Sequence, residues 1–487
     1  MLRPTFALLA LTLVAPLAHA QELELKKGDR IALVGNTLAE RMQHHGWLET
    51  YLHARFPEHD LASRNLGFSG DEVTPRLRSS GFGSPDQWLT RVQADVVFAF
   101  FGYNESFKGK DGLDKFQADL DAYVKNLKSK KYNGTTTPRV VLFSPIAHED
   151  LKDKNLPDGK ENNARIKLYT AAIQKVARDN GVVFVDIFHP TLDVYSRATK
   201  ALTINGIHLN EYGDYRVAGL IEDALFPKNK IDTPREKLDE IRQAVLERSF
   251  YWFNRYRTVD GYSIYGGRAD LRFEEYDPVT RKKTGKINTN REVAQREMKI
   301  LAVMTANRDK LVWNTARRAS GRKPDVAFKV DDSNTPPFVE ISTNKPGPLP
   351  GLKHLFLSGE EAIKKMKLGR NLKVNLFASE EMFPDLASPV QMAWDNKGRL
   401  FVAVMPSYPH WKPKEEMNDK ILILEDTAGD GKADKCTGFA DKLHVPTGLE
   451  FWNGGLLVGQ QPDLMFLKDT NGDGKADYRE RILHGID

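Results

Sequence analysis

Residues 25–228 alternate short apolar runs with amphipathic segments, and this alternation limits the possible folds more than any other feature of the chain. The apolar runs have the length of strands, and the segments between them carry apolar residues at helical spacing. Such an alternation predicts a three-layer α/β domain with a parallel sheet. The predicted strands are Asp29–Gly35, Leu61–Leu66, Ala94–Gly102, Arg139–Pro145 and Val182–Phe188, and the predicted helices are Glu40–Arg55, Leu113–Leu127, Ala164–Asn180 and Tyr212–Leu225.

Four short blocks within this region contain residues suited to chemistry. They are Gly35-Asn36-Thr37-Leu38, Gly67, Gly102-Tyr103-Asn104-Glu105 and Asn205-Gly206-Ile207-His208. In an open parallel sheet, functional groups collect just beyond the carboxyl ends of the strands, where Thr37 and Asn104 are expected to lie. A hydroxyl, an imidazole and amide donors are the groups that acyl transfer requires.

In order and spacing, these blocks resemble the SGNH (GDSL-type) hydrolase family, whose blocks are Gly-Asp-Ser, Gly, Gly-x-Asn-Asp and Asp-x-x-His. The resemblance implies an esterase with Thr37 as nucleophile, His208 as base and Asn205 as the partner of that base. It also implies an oxyanion hole formed by the backbone N–H groups of Thr37 and Gly67 and the side-chain amide of Asn104. Two residues differ from the family pattern: Thr37 replaces the serine, and Asn205 replaces the acid.

These two replacements leave open whether the site is catalytically active. The extra methyl group of Thr37 restricts its χ1 angle, and Asn205 carries no charge that could stabilise an imidazolium ion. Glu211 or Asp214 is an alternative partner for the histidine. Taken singly, the block residues also have structural explanations, such as a helix cap at Asn104. Two hypotheses follow: a hydrolase acting on carbohydrate esters, or a catalytically degenerate domain kept for binding or as a scaffold.

The N-terminus has the features of a cleavable signal peptide, with Arg3 followed by an apolar run over Phe6–Leu17. We therefore expect export to the periplasm or the cell exterior, with cleavage near Ala20. No stretch reaches the ~18 apolar residues of a membrane-spanning helix. Cys436 is the only cysteine, which excludes an internal disulfide and a cysteine-based zinc site. Basic and acidic residues, 71 and 66 in number, are interspersed, so no nucleic-acid partner is predicted.

Residues 229–369 change in character, and we predict a helical appendage that ends in a proline-rich linker. Pro234–Tyr256 and Arg291–Arg308 have helical periodicity, whereas Asp331–Gly351 is rich in proline. The segment Tyr251–Arg257 is aromatic and arginine-rich. Two explanations of it remain open: a lid or sugar-stacking wall over the site, and the packing of a long arm against its neighbour.

Residues 370–487 contain short strand-like runs in a repeated order. Pro389–Trp394 is echoed by Pro446–Trp452, and the loop Asp426–Asp434 recurs as Asp469–Asp477. The two loops are separated by about 43 residues, which is the period of a propeller blade. We predict an incomplete β-propeller of about two blades, with a small β-sandwich as the alternative.

The two repeated loops place oxygen-bearing side chains at alternate positions of a glycine-containing turn, which suits a calcium ion. The second loop matches the EF-hand pattern, but Gly455–Leu467 before it has strand character, so a calcium loop between propeller strands is predicted. An unloaded β-turn is the alternative. Ala428 and Thr437 occupy ligand positions of the first loop, so its affinity for calcium is expected to be lower. The predicted ligands are Asp469, Asn471, Asp473, Asp477 and Glu480 in the second loop, and Asp426, Asp430 and Asp434 in the first.

The whole run of modules resembles the planctomycete-type haem-binding CxxCH proteins, which are also described as membrane-bound dehydrogenases. Gly35–Met42, Asn205–Gly213 and the two Gly-Asp-Gly loops carry this resemblance. It implies an SGNH domain followed by the start of a sugar-dehydrogenase-like propeller, with a redox or cell-surface partner. No Cys-x-x-Cys-His motif occurs, so no haem is expected on this chain. The expected substrate is a carbohydrate ester or an acylated small molecule.

Overall fold

The computed structural model describes residues 23–228, 230–258, 261–277, 279–323, 328–337, 347–408 and 410–485. The predicted signal peptide therefore lies outside the described residues. The chain divides into two compact units that interrupt each other in sequence. The N-terminal unit contains the chain through Glu40, Leu61–Arg76 and Leu89–Asp232, and the C-terminal unit contains Arg41–Asp60, Leu77–Trp88 and the chain from Thr233 onward.

The N-terminal unit is built on a five-stranded parallel sheet with the order β2-β1-β3-β4-β5. The central strand β3 is buried along its whole length, as expected of a strand covered on both faces. An α/β domain with a parallel sheet is thus confirmed. The strands are β1 (Arg30–Gly35), β2 (Ala62–Asn65), β3 (Val96–Phe100), β4 (Arg139–Phe143) and β5 (Val183–Val185).

Helices separate these strands and continue into the C-terminal unit. One predicted helix, Glu40–Arg55, is broken at Gly46, which has a φ of 73°, a conformation that favours glycine, and where a β-carbon would stand 3.1 Å from the Val245 side chain. In the described residues the α-helices are α1 (Thr37–His45), α2 (Trp47–Arg55), α3 (Pro85–Val92), α4 (Tyr103–Ser106), α5 (Leu113–Ser129), α6 (Lys160–Asn180), α7 (Phe188–Arg197), α8 (Glu211–Leu225), α9 (Arg235–Tyr256), α10 (Gly261–Ile264), α11 (Asn290–Ala319) and α12 (Gly359–Lys364). Within the described chain, none of the helices is both long and apolar enough for a membrane crossing.

In the C-terminal unit, the long helices α9 and α11 pack against each other, and α2 packs against both. The predicted helical appendage also contains an antiparallel hairpin of β6 (Arg272–Tyr276) and β7 (Lys283–Thr289). The apolar pattern could not reveal this hairpin, because its strands bury no apolar face; backbone hydrogen bonds join them, and two ion pairs cross between them. Lys283 bonds Glu274 at 2.6 Å and Lys286 bonds Glu275 at 2.8 Å.

The C-terminal unit also contains two four-stranded antiparallel sheets. Each is a meander in which consecutive strands are neighbours, and one apolar core with side chains from both sheets joins them. Each acidic loop connects the third and fourth strands of its sheet, so the sequence repeat is also a structural repeat. The sheets consist of β8 (Pro389–Trp394), β9 (Leu400–Val404), β10 (Asp419–Glu425) and β11 (Lys435–Leu443), and of β12 (Pro446–Trp452), β13 (Gly455–Gln460), β14 (Asp463–Lys468) and β15 (Tyr478–His484).

The buried histidine of α2 should make the stability of the C-terminal unit sensitive to acid. Burial, and next the Arg248 guanidinium, lower the pKa of His53 from 6.5 to about 3. Below pH 6.5 the unfolded chain binds a proton that the folded chain does not, so stability is lost as the pH falls. At pH 5 this loss amounts to roughly 2 kcal/mol. Urea unfolding at pH 7 and pH 5 should show a smaller pH effect for His53→Gln than for wild type. The more exposed His59→Gln is the matched control, and an equal pH effect in all three proteins would contradict the prediction.

Candidate active site

The edge of the parallel sheet brings the first and third blocks together. Strands β1 and β3 are neighbours, with Gly35 opposite Phe100. Thr37 opens α1 two residues after the last residue of β1, and Asn104 lies in α4 just beyond β3. Gly35 has a φ of 138°, and a β-carbon there would stand 2.2 Å from the carbonyl oxygen of Phe100. The glycine is therefore required by the close approach of the two strands at this edge.

A buried carboxylate fixes the turn that carries Asn104. Glu105 accepts hydrogen bonds from the backbone N–H groups of Gly102 and Val73, both at 2.9 Å, and so ties α4 to the segment after β2. Burial raises the pKa of Glu105. The Asn104 amide donates a long hydrogen bond of 3.4 Å to the carbonyl of Asp71. Asn104 is not the helix cap, because Gly102 holds that position.

The backbone N–H of Gly67, the predicted oxyanion donor, already has a hydrogen-bond acceptor within the N-terminal unit. It donates to the side-chain oxygen of Asn65 at 2.8 Å, so this hydrogen is already in use. The Asn65 amide in turn donates to the carbonyl of Ala39 in α1 at 2.6 Å. A β-carbon on Gly67 would meet the Glu40 nitrogen at 2.5 Å. The glycine thus permits close packing of the β2 loop on α1, and it would have to release Asn65 to bind an oxyanion.

The predicted nucleophile, Thr37, is half-buried at the start of α1. Its backbone N–H lies in the first helical turn, where such groups have no partner within the helix, and is suited to hold an oxyanion. Among the described residues, the Thr37 hydroxyl makes no hydrogen bond. The structure therefore does not pair it with His208 by a hydrogen bond, although catalytic contacts often tighten only when substrate binds.

Asn205 and His208 do form the predicted pair. The Asn205 side-chain oxygen lies 3.0 Å from His208 Nδ1. The same oxygen accepts from the backbone N–H of His208 at 3.1 Å and that of Ile207 at 3.4 Å, which identifies it as the oxygen rather than the nitrogen of the amide. Nδ1 must therefore be the donor in this contact. In neutral His208 the proton is on Nδ1, and Nε2 is the nitrogen that can take a proton. The contact also occupies the nitrogen that Glu211 or Asp214 would have oriented.

Sequence reasoning missed Glu149, which holds the loop that carries His208. This buried carboxylate follows β4 and accepts from Leu202 N at 3.0 Å, Thr203 N at 2.8 Å and the Thr203 hydroxyl at 2.6 Å. The Thr203 hydroxyl in turn accepts from Gly206 N at 2.9 Å, and Glu149 N donates to the Gly206 carbonyl at 2.8 Å. The signal was present, because Glu149 comes shortly after the predicted strand Arg139–Pro145.

The neighbouring His148 packs against the same loop. Asn162 donates to His148 Nδ1 at 2.9 Å, and Arg165 fixes the orientation of that amide by donating to its oxygen. His148 Nε2 lies so close to Gly206 that a β-carbon there would stand 2.4 Å from it. Gly206 also has a φ of 92°. Two features thus require glycine at position 206: the positive φ of the backbone and the close approach of the His148 ring.

Replacing Glu149 with alanine should loosen the His208 loop. Three donors, Leu202 N, Thr203 N and the Thr203 hydroxyl, would lose their acceptor in a buried place, at about 1–3 kcal/mol each. Hydrogen exchange followed by mass spectrometry should show faster exchange in peptides covering residues 202–210. Asp150→Ala is the matched control, because this adjacent carboxylate bonds only to the exposed Lys152 among the described residues. Unchanged hydrogen exchange in the Glu149 variant would contradict the proposal that Glu149 holds the His208 loop.

The acidic loops of the C-terminal unit use their carboxylates to hold their own backbone. Asp469 accepts from Gly472 N at 2.6 Å and from Gly474 N at 2.9 Å. Asp477 accepts from the backbone and hydroxyl of Thr470, and these bonds lower its pKa. Across the described part of the chain, no three His, Cys, Asp or Glu side chains are placed to hold one metal ion. Among the predicted ligands that the structure describes, no such group of three occurs.

Calcium binding by these loops stays a prediction. It requires a melting temperature that is higher in calcium than in a chelator, with a smaller difference after Asp469→Asn. Equal melting temperatures in the two buffers would end the calcium hypothesis and leave the loops as glycine-rich turns. The expected absence of haem is not tested by the structure.

Comparison with known proteins defines the class of the N-terminal unit. The GDSL-like lipase/acylhydrolase family model matches residues 28–216, and a domain of unknown function (DUF7133) matches residues 358–487. Residues 28–216 thus match a GDSL-like acylhydrolase family, and the predicted leaning toward a hydrolase acting on ester bonds is confirmed at the level of class. The family match covers the region in which sequence and structure locate Thr37, Asn104 and His208.

Three solved structures illustrate the similarity. A catalytic mutant of Axe2, an acetylxylan esterase from Geobacillus stearothermophilus, is 16% identical, with 42% of this chain and 97% of that one covered and a TM-score of 0.34. BT4096, a gut microbial diltiazem-metabolizing enzyme, is 21% identical, with coverage of 42% and 49% and a TM-score of 0.34. LAE5, an α/β hydrolase from the metagenome of Lake Arreo, Spain, is 19% identical, with coverage of 42% and 99% and a TM-score of 0.33. The curated proteins contain no match to the chain.

Proposed function

We propose that the N-terminal unit hydrolyses acyl esters, with Thr37 as nucleophile and His208 as general base. The observation that supports this most directly is the contact between the Asn205 oxygen and His208 Nδ1 at 3.0 Å. Two backbone N–H groups hold this oxygen in place, so the uncharged asparagine selects the tautomer that a base needs. The replacement of the acid by an amide therefore removes a charge from the site but leaves His208 in the tautomer that a base needs.

The reaction would follow the usual two steps of acyl transfer. His208 Nε2 takes the proton of the Thr37 hydroxyl as its oxygen attacks the ester carbonyl, and the same proton leaves with the alcohol. The Thr37 backbone N–H and the Asn104 amide stabilise the oxyanion, joined by Gly67 N–H once it releases Asn65. Water then hydrolyses the acyl-threonine with His208 again as base. Turnover should be slow, since Asn205 lends no negative charge to the imidazolium ion.

Carbohydrate esters are the proposed substrate, and the exported compartment is the proposed place of action. The substrate proposal rests on the SGNH resemblance of the four blocks, and the location rests on the character of residues 1–20. Acetate release from acetylated xylan and hydrolysis of nitrophenyl acetate test the activity. Wild type should exceed both Thr37→Ala and His208→Ala on both substrates. Wild-type rates equal to the His208→Ala background would refute the hydrolase proposal.

The alternative is a catalytically degenerate front end of a longer redox protein, kept for binding or as a scaffold. Two observations favour it: Gly67 N–H is already bonded to Asn65, and the Thr37 hydroxyl makes no hydrogen bond among the described residues. In this proposal the two antiparallel sheets are the first blades of a propeller, and the partner is a redox or cell-surface protein. Activity in Thr37→Ser/Asn205→Asp but none in wild type would support it.

A further inference from the structure

A cleft in the C-terminal unit has the composition of a sugar site. It encloses about 550 Å³ between the ends of strands from the two antiparallel sheets, within the roughly 300–1,000 Å³ of small-molecule sites. Trp394 and Trp452 line it, and their residues are 55% and 53% exposed. Exposed apolar surface that is grouped at one place and bordered by polar residues is typical of ligand-binding grooves.

The two tryptophans occupy equivalent places in the repeat. Trp394 is the last residue of β8 and Trp452 the last of β12, and each of these strands is the first of its sheet. Phe377 meets Trp394 edge-to-face at 5.2 Å, and Phe466 meets Trp452 in the same way at 5.4 Å. These contacts orient both indole rings and leave a large part of each accessible. The repeat thus places two indole rings of fixed orientation at one cleft.

Most of the charged side chains that line the cleft already form hydrogen bonds within the protein. Asp395 accepts from Arg399 Nε at 2.8 Å and from the backbone of Lys397 and Arg399. Asp469 is bonded to the backbone of its own loop. The amide side chains of Asn396 and Asn453, in contrast, make no hydrogen bond with any described residue. Uncharged donors and acceptors beside aromatic rings suit a neutral ligand that has both hydroxyl groups and an apolar face.

We propose that this cleft binds a neutral oligosaccharide, with pyranose rings packed on Trp394 and Trp452 and their hydroxyl groups bonded to Asn396 and Asn453. The site is separate from Thr37 and His208 and does not depend on esterase activity. A hydrolase of carbohydrate esters would gain local substrate concentration from such a second site. A chain without hydrolase activity would still bind the sugar.

Calorimetric titration of the full chain with xylohexaose and cellohexaose tests the proposal. Wild type should bind at least one of them, and Trp394→Ala or Trp452→Ala should weaken that binding roughly tenfold or more, with Trp394→Phe less affected. Met392→Ala is the matched control, since Met392 lies on β8, is 55% exposed and does not line the cleft. The control should bind as wild type does. Hydrolysis of nitrophenyl acetate should be the same in all variants, which separates this site from the esterase site.

Three results would overturn the proposal. One is no heat of binding for wild type with either oligosaccharide up to about 5 mM. Another is unchanged binding in the Trp394→Ala/Trp452→Ala double variant whose circular dichroism and melting temperature match wild type. The third is tighter binding of polygalacturonate than of the neutral sugars, because this would mean that Lys397, rather than the tryptophans and amides, selects the ligand.

Discussion

Alanine at position 208 should reduce hydrolysis of nitrophenyl acetate by roughly 10²–10⁴-fold, because the variant loses the general base. The remaining groups can still bind the ester but cannot accept the Thr37 proton. Steady-state kinetics should place the loss in kcat rather than in KM. His189→Ala is the control, since this histidine is exposed, bonds Asp186 and belongs to none of the four blocks. A loss confined to KM would mean that His208 binds substrate without acting as base.

Variants of Asn205 separate its two contributions. Asn205→Leu removes the oxygen that holds His208 Nδ1, and should lower kcat even though no charge is lost. Asn205→Asp keeps the oxygen and adds a negative charge, which should raise kcat and move the acid limb of the pH–rate profile to higher pH. The shift follows because a carboxylate favours the protonated imidazole, which cannot act as base. Equal activity of Asn205→Leu and wild type would refute the tautomer argument.

Removing the carboxylate of Glu49 should destabilise the C-terminal unit by about 3–5 kcal/mol. Arg248 donates to Glu49, and the two side chains are only 2% and 4% exposed. Truncation of Glu49 removes a buried, hydrogen-bonded carboxylate from the guanidinium that lies next to His53. For a unit of this size, the melting temperature of Glu49→Ala should fall on the order of 10 °C. Thermal unfolding followed by circular dichroism measures this shift.

Two further variants define the cause of that loss. Glu274→Ala removes one partner of the exposed ion pair with Lys283 and should cost less than about 1 kcal/mol. The double variant Glu49→Leu/Arg248→Met replaces the buried pair by apolar groups and should be more stable than Glu49→Ala alone. A double variant as unstable as the single one would show that packing, and not an uncompensated charge, explains the effect.

The strands of the sheet and the location of the site could be predicted because each follows from local pattern. Buried strands such as Val96–Phe100 are continuous apolar runs, and the edge beyond their carboxyl ends is a general place for function. The hairpin of β6 and β7 escaped prediction, since neither strand buries an apolar face and neither therefore shows an apolar alternation. The position of Glu149 after a predicted strand was a usable signal, but its role escaped prediction because its partners Leu202 and Thr203 are about fifty residues away in sequence.

By itself, the sequence determined the class of the N-terminal unit, the identity of Thr37, Asn205 and His208, and the repeat that contains Trp394 and Trp452. These properties depend on residue type and spacing along the chain. Only the tertiary structure decided which amide atom of Asn205 faces the histidine, that Gly67 N–H is already bonded, and that the two tryptophans share one cleft. Hydrogen-bond direction and side-chain proximity depend on where distant segments meet, and no local pattern specifies that.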